Sequence, residues 1–374
     1  MQRTDFIAVN EPLLDGNEKK YLTECIDTGW ISSEGPFVEK FELAFSSRVG
    51  RKWGIAVCNG TAALDAAIEA LGIGPGDEVI LPAFTIISCI GQLIRCGARP
   101  VLVDSDARTW NMDVQQIEAK ITPRTKAIMV VHTYGLPVDM DPVLDVAKRH
   151  GLFVLEDAAE AHGQTYRGRP CGSLGDISTF SFYPNKLVTT GEGGMIVTHD
   201  DALAATCYSL RNLCFQAQRR FVHERLGWNL RMTNLQAALG VAQLERIDEF
   251  AARKRAMGKR YTELLSGIPG LQLPVAQTDY AENIYWVYGL VLGDEVAFDA
   301  AVAMKKLAAL GIGCRPFFCP MNQQPVLLER GLFHGESHPV AQRMYRKGFY
   351  IPSGLALTDA QMTRVAEAVG SILK

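Results

Sequence analysis

The chain has 374 residues, 48% hydrophobic and 21% charged, with a net charge of −3; that is ample for a large core and points to one large and one smaller domain. The balanced charge gives no reason to expect nucleic acid or an anionic membrane surface as a partner, and no apolar run approaches the roughly 20 residues that cross a bilayer. Nine scattered cysteines, an odd number with no CxxC pair, argue against a disulfide framework or a metal site and, with an N-terminus lacking a signal-peptide core, point to the reducing cytoplasm.

In chain order, Glu18–Ile26 has a helical pattern, Gly29-Trp30-Ile31-Ser32-Ser33-Glu34-Gly35 is a loop, and Phe37–Phe45 begins a helix. From 53 to about 200, short apolar strands alternate with helical patterns. The strands are expected at 53–58, 78–81, 100–103, 126–132, 152–156, 177–182 and 194–198, with helices at 61–71, 86–95, 113–120 and 141–150. Continuously apolar strands alternating with helices predict an α/β fold with a mostly parallel, seven-stranded sheet covered on both faces. No repeat, low-complexity tract or Gly/Ser-rich linker interrupts it.

Three stretches in this region carry chemistry. Trp53–Cys58 is a strand, and Asn59-Gly60-Thr61-Ala62-Ala63 turns it into a helix. Free N–H groups and the helix dipole make such an N-terminus an anion site, although Asn-Gly-Thr is also an ordinary cap. Phe153–Asp157 is an apolar strand ending in acids. Asp157 stands where open α/β sheets bind ligands and could hold the ring nitrogen of pyridoxal phosphate, or could simply cap the next helix. Ser178–Phe182 is a strand leading to Lys186, followed by Gly191, Gly193 and Gly194. A lysine on a glycine-flanked turn after a buried strand is either a solvated surface residue or a desolvated amine able to form a Schiff base. His132, at a strand end, is either catalytic or a satisfied core histidine.

Beyond residue 200, 234–248 is strongly periodic and runs toward the basic residues Arg253, Lys254, Arg255, Lys259 and Arg260, a solvated face or a nucleotide clamp. The division is expected on this helix, giving a large domain over 1–249 and a small α/β domain over 250–374. In the latter, Ile284–Leu292 is an aromatic-rich strand, Phe298–Leu310 a helix and Gly313–Phe318 a strand. Thr358-Asp-Ala-Gln361 is a capping box opening the last helix.

Taken together, the Asn59–Ala63, Glu156–Ala161, Ser181–Lys186 and Thr190–Gly194 stretches, with Gly29–Ser33, Gly74–Ile80, Gly175-Asp176 and Asn229–Asn234, resemble the fold-type I pyridoxal-phosphate enzymes. More narrowly, they resemble the sugar-nucleotide aminotransferases of the DegT/DnrJ/EryC1/StrS family, over nearly the whole chain. The resemblance implies that Lys186 forms the Schiff base and then shuttles the proton. It implies that Asp157 pairs with the ring nitrogen and that Glu160, where relatives often carry Gln, sits near the ring hydroxyl. Gly60, Thr61, Ala62 and Ser181 would hold the phosphate, with Asn229 reaching it from the other subunit of a homodimer that shares its active sites. Trp30 would lie near the sugar nucleotide. Arg231 and Arg315 are candidates for the donor carboxylate or the nucleotide diphosphate.

Two positions depart from the family pattern. Many relatives stack an aromatic on the ring where this chain has Ile86, so either Phe84 compensates or apolar contact suffices. Relatives often have His where Cys319 or Asn322 stand. The expected function is transfer of the amine of glutamate to a nucleotide-linked 4-keto-6-deoxy sugar, GDP-linked and at C4, for O-antigen or a related glycan. A UDP- or dTDP-linked sugar, or C3, is the alternative. Dehydratase relatives replace the lysine with histidine, so Lys186 argues against that chemistry. The retention of Lys186, Asp157 and Ser181 argues against a non-catalytic sensor.

Overall fold

A computed structural model describes residues 6–373. Helices α1 (Glu18–Thr28) and α2 (Pro36–Arg48) precede β1 (Trp53–Val57) and α3 (Gly60–Ala70). Next come β2 (Glu78–Pro82), α4 (Ser88–Arg95), β3 (Arg99–Val103), β4 (Thr125–Val131), α5 (Met140–His150) and β5 (Phe153–Asp157). A small hairpin, β6 (Thr165–Tyr166) and β7 (Arg169–Pro170), leads to β8 (Ile177–Ser181), β9 (Gly194–Thr198) and α6 (Asp201–Arg211). All seven expected strands form one sheet in the order β1-β9-β8-β5-β4-β2-β3, in which β9 alone runs antiparallel to its neighbours. β2 and β9 are buried along their whole length, as a sheet with both faces covered requires. Consequently β1, β2, β4, β5 and β8 all end on one edge, and β9 begins there.

The chain then continues through α7 (Asn234–Leu244), α8 (Ile247–Leu265), β10 (Leu271–Gln272), β11 (Tyr288–Leu292), α9 (Ala300–Ala309), β12 (Arg315–Pro316), α10 (Pro325–Leu328), α11 (Pro339–Lys347), β13 (Gly348–Ile351) and α12 (Asp359–Leu373). A second, antiparallel sheet has the order β10-β11-β13-β12. The box before α12 is formed: Thr358 N–H donates to Gln361 Oε1 at 2.9 Å and Gln361 N–H to Thr358 Oγ1 at 3.3 Å. Among the described residues no helix is long and apolar enough to cross a membrane.

Several expectations are corrected. The helix at 113–120 is instead two single 3₁₀ turns, Val114–Gln116 and Glu118–Lys120, the first capped by the Asp113 side chain, which accepts from Gln115 N–H and from the Gln116 side-chain amide. The pattern at 234–248 breaks at Arg246 into α7 and α8. Only Tyr288–Leu292 of the aromatic run is strand: Asn283 Oδ1 accepts from Tyr285 N–H at 2.7 Å, and Tyr285 turns left-handed at φ 53°. Of the basic residues on α8, Arg253 and Arg260 pair with Glu249 and Asp359 at the surface, but Lys254 is fully turned inward.

Candidate active site

The strand ends open into a cavity of about 690 Å³. Val131, Asp157 and Thr179–Ser181 line it from β4, β5 and β8, the α3 N-terminus from one side, Tyr350 from β13 of the smaller sheet, and Trp286 from the segment just before β11. This is the edge at which open α/β sheets bind ligands.

At the N-terminus of α3, Asn59 is the cap: its Oδ1 accepts from Ala62 N–H at 2.8 Å and its carbonyl from Ala63 N–H at 3.1 Å. Ala62 is thereby committed, and the N–H groups of Gly60 and Thr61 are left for an anion. Thr61 Oγ1 lies 3.0 Å from Ser88 Oγ, which adds a second hydroxyl. Glycine is needed at 60, because a Cβ there would stand 2.7 Å from Ser181 Cβ. The close approach brings the Ser181 hydroxyl to the same point.

The charged groups are one layer deeper. Asp157 is buried; its Oδ1 accepts from Ala159 N–H at 3.0 Å and its Oδ2 from the Cys89 thiol at 3.4 Å. Burial pushes its pKa up, against the pull of the Ala159 N–H and Lys186. Glu160 Oε2 accepts from Tyr134 N–H at 2.9 Å, and its Oε1 stands 3.5 Å from Lys186 Nζ. Burial raises the Glu160 pKa to about 7, opposed by Lys186 and the Tyr134 N–H. Lys186 Nζ also lies 3.9 Å from the centroid of the Trp286 ring. Thr179 Oγ1, on the cavity wall, is buried without a partner among the described residues. A buried acid, an amine, a three-hydroxyl anion cradle and an unpartnered hydroxyl in one crevice fit a phosphorylated aromatic aldehyde such as pyridoxal phosphate.

Other expected site residues fall differently. Ile86 is 46% exposed and lines the cavity, whereas Phe84 is fully buried among Tyr134, Phe317 and Phe318 and lines none of it. Of the two alternatives at this position, the structure favours apolar contact by Ile86, because the Phe84 ring points into the core behind the site. His132 is a satisfied core residue. It bridges Glu156 Oε1 at 3.0 Å and Val138 N–H at 3.1 Å, and Glu156 also receives Leu174 N–H, Gly175 N–H and the Ser178 hydroxyl. Trp30, Asn229 and Arg315 are exposed and outside the cavity, and Arg231 is hydrogen-bonded to Asn212. Sequence reasoning missed Trp286 and Cys89. The aromatic run at 284–292 was the only signal for the first, and the second had none.

The geometry has counterparts. Residues 12–370 match the sequence profile of the DegT/DnrJ/EryC1/StrS aminotransferase family. A GDP-perosamine synthase from Caulobacter vibrioides is 48% identical over 98% of this chain and 98% of its own. One from Escherichia coli O157:H7 is 40% identical over 97% of this chain and 98% of its own. The crystal structure of S. venezuelae DesV, in complex with a ketimine intermediate, superposes with a TM-score of 0.87 at 34% identity, covering 96% of this chain and 94% of that one.

Proposed function

The chain belongs to the DegT/DnrJ/EryC1/StrS aminotransferase family, and from that premise we propose that it uses pyridoxal 5′-phosphate to move the amino group of glutamate onto C4 of GDP-4-keto-6-deoxymannose, forming GDP-perosamine. The observation that carries this reading is the grouping of Lys186, Glu160 and Asp157 beside the α3 N-terminus in one cavity. The nucleotide and sugar come from the likeness to the GDP-perosamine synthases. The product would serve O-antigen or a related glycan, made in the cytoplasm.

When bound, pyridoxal phosphate supplies a carbonyl carbon that carries the amine between substrates and a ring that accepts an electron pair. Each protein group has a place around it. Gly60 and Thr61 N–H and the Thr61, Ser88 and Ser181 hydroxyls would hold the phosphate. Asp157, kept in place by Ala159 and Cys89, would pair with the ring nitrogen, and Glu160 would serve the ring hydroxyl. Ile86, which lines the cavity, would cover a ring face by apolar contact. Lys186 Nζ would shuttle the proton in each half-reaction between the cofactor's carbonyl carbon and the substrate carbon, from the amine-bearing carbon of the donor in the first and to C4 of the sugar in the second, as a general base and then a general acid. Arg231 and Arg315 would bind the donor carboxylate or the nucleotide diphosphate, and Trp30 would lie near the sugar nucleotide.

Asn229 belongs to the site of a second subunit in this reading, because it is exposed and outside its own cavity, on a segment that also exposes Phe221 and Leu226. The division into 1–249 and 250–374 then separates the cofactor-binding part from a part that closes over the sugar.

The test is the absorbance of purified protein with pyridoxal phosphate. A yellow band that moves to the ultraviolet with glutamate and returns with the GDP-linked keto sugar is the expected result. No band at all refutes the assignment of Lys186. Recovery with a UDP- or dTDP-linked sugar in place of the GDP sugar refutes the nucleotide and keeps the chemistry.

A further inference from the structure

Residues 283–287 are held in a shape their own preferences do not favour. Tyr285 is left-handed at φ 53°, a conformation that bulky residues avoid. The surroundings impose it. Asn283 Oδ1 takes the Tyr285 N–H, and Ile284 N–H donates to Gly135 O at 3.2 Å. Two glycines make room: a Cβ on Gly135 would stand 2.5 Å from Trp286 N, and one on Gly258 would enter the Tyr285 ring.

The result of this confinement is the placement of one indole. Trp286 Nε1 donates to Asn185 O at 2.7 Å, the residue next to Lys186. Its carbonyl accepts from Lys254 Nζ at 2.6 Å. Lys254 is buried, with Ser353 O as its other acceptor, and burial lowers its pKa to about 7. A buried amine without a carboxylate partner is costly, and here its two bonds go to backbone that frames the site. The indole face then meets Lys186 Nζ, 3.9 Å from the ring centroid.

We propose that Trp286 is a cation platform for Lys186: its ring face, with the Glu160 carboxylate, holds Lys186 as the ammonium between taking up a proton and delivering it, and Lys254 is the residue that positions the ring. The physical basis is attraction of a cation to the negative face of an indole, which acts on the protonated amine and not on the neutral one. Removing the face lowers the affinity of Lys186 for its proton. The other groups around this amine are Glu160 at 3.5 Å, Asp157 on β5, His162 beside Glu160, Tyr134 and Tyr350 near the Glu160 carboxylate, and Lys254 across a small cavity bounded by Glu160, His162 and Trp286. All of them remain in a Trp286 variant.

The inference rests on the proposed function, and wild-type exchange with glutamate is measured first. If wild type fails to exchange, that reading fails. If it exchanges, the inference is tested on holoenzyme by the pH dependence of single-turnover amination in wild type, Trp286→Phe and Trp286→Leu. In Trp286→Leu the limb reporting Lys186 moves to lower pH by about half a unit to one and a half units, with kcat reduced and KM for the sugar little changed. Trp286→Phe, which keeps a weaker face, moves by less. A Trp286→Leu enzyme that loads cofactor and keeps the wild-type profile overturns the proposal, as does a Phe variant that shifts as far as Leu. If Trp286→Leu fails to load cofactor, Trp286→Phe decides alone, and a wild-type profile in it overturns the proposal.

Discussion

Replacing Gly194 by alanine tests how the anion cradle is built. Gly194 opens β9 opposite Val57, and its backbone lies against the turn that follows β1. A Cβ there would stand 2.6 Å from the carbonyl carbon of Asn59, closer still to its oxygen, and 3.0 Å from Gly60 N. These are backbone atoms and cannot rotate away. Separations below 3.0 Å essentially do not occur for a real Cβ, so the Asn59–Gly60 peptide has to retreat by at least about 0.4 Å. Overpacking of this kind costs about 1–3 kcal/mol. Disturbing the Asn59 cap, with its 2.8 Å and 3.1 Å bonds, adds about 1 kcal/mol. At about 2.1 cal/mol/K of unfolding entropy per residue over 374 residues, the melting temperature falls by about 3–5 °C. The same retreat misplaces the Gly60 and Thr61 donors. Losing one charge-assisted hydrogen bond, about 1.5–3 kcal/mol, weakens pyridoxal phosphate binding by about 10- to 100-fold. Thermal melts with and without cofactor, plus an absorbance titration, measure both. A Gly194→Ala protein with wild-type melting and cofactor affinity would refute the account of the cradle.

Three further outcomes are expected. Lys186→Ala abolishes amination, by more than about a thousandfold, while still binding cofactor and sugar nucleotide; full activity in this variant would disprove the role of Lys186. Glu160 has a folded-state pKa of about 7 against an ordinary 4.5, so between these values the folded protein binds more protons than the unfolded one and stability falls as pH rises. Glu160→Gln removes that fall, so the stability of the cofactor-free protein at pH 8 relative to pH 5 improves by up to about 3 kcal/mol, read by urea unfolding at the two pH values. Mixed dimers of Lys186→Ala and Asn229→Ala subunits recover activity that neither variant has alone, because one of the two shared sites is then intact; no recovery on mixing would place Asn229 elsewhere.

The parts legible in the sequence were those whose physical cause is local. Strands covered on both faces are continuous apolar runs, so β1 to β5, β8 and β9 were found with ends off by a residue at most. Asn59 and Thr358 announced their helices because caps act over three residues. Lys186 stood out by its glycines. What was hidden depends on distant partners. Lys254 looks like one of a row of surface cations, and nothing nearby in sequence says that the carbonyls of Trp286 and Ser353 wait for it. Trp286 lies in what reads as a strand, and its placement follows from the left-handed turn at Tyr285, which Gly135 and Gly258 permit from elsewhere in the chain. Phe84 stands two residues after Pro82 at the site edge and would be expected to face the ligand. The aromatic cluster of Tyr134, Phe317 and Phe318 draws it inward instead.

The one reversed strand also sets an order of assembly. β8 and β9 are joined by the short excursion that carries Lys186, and such local pairs form early in folding, whereas β1 can join the sheet only through β9, far along the chain. The anion cradle is the junction of those two events, since Gly60 faces Ser181 and Gly194 backs onto Asn59. A nascent chain therefore exposes β1 and α3 long before they have anything to grip. Cofactor capture during refolding should accompany the slowest phase, when β1 docks, and appearance of the cofactor signal in an earlier phase would contradict this order.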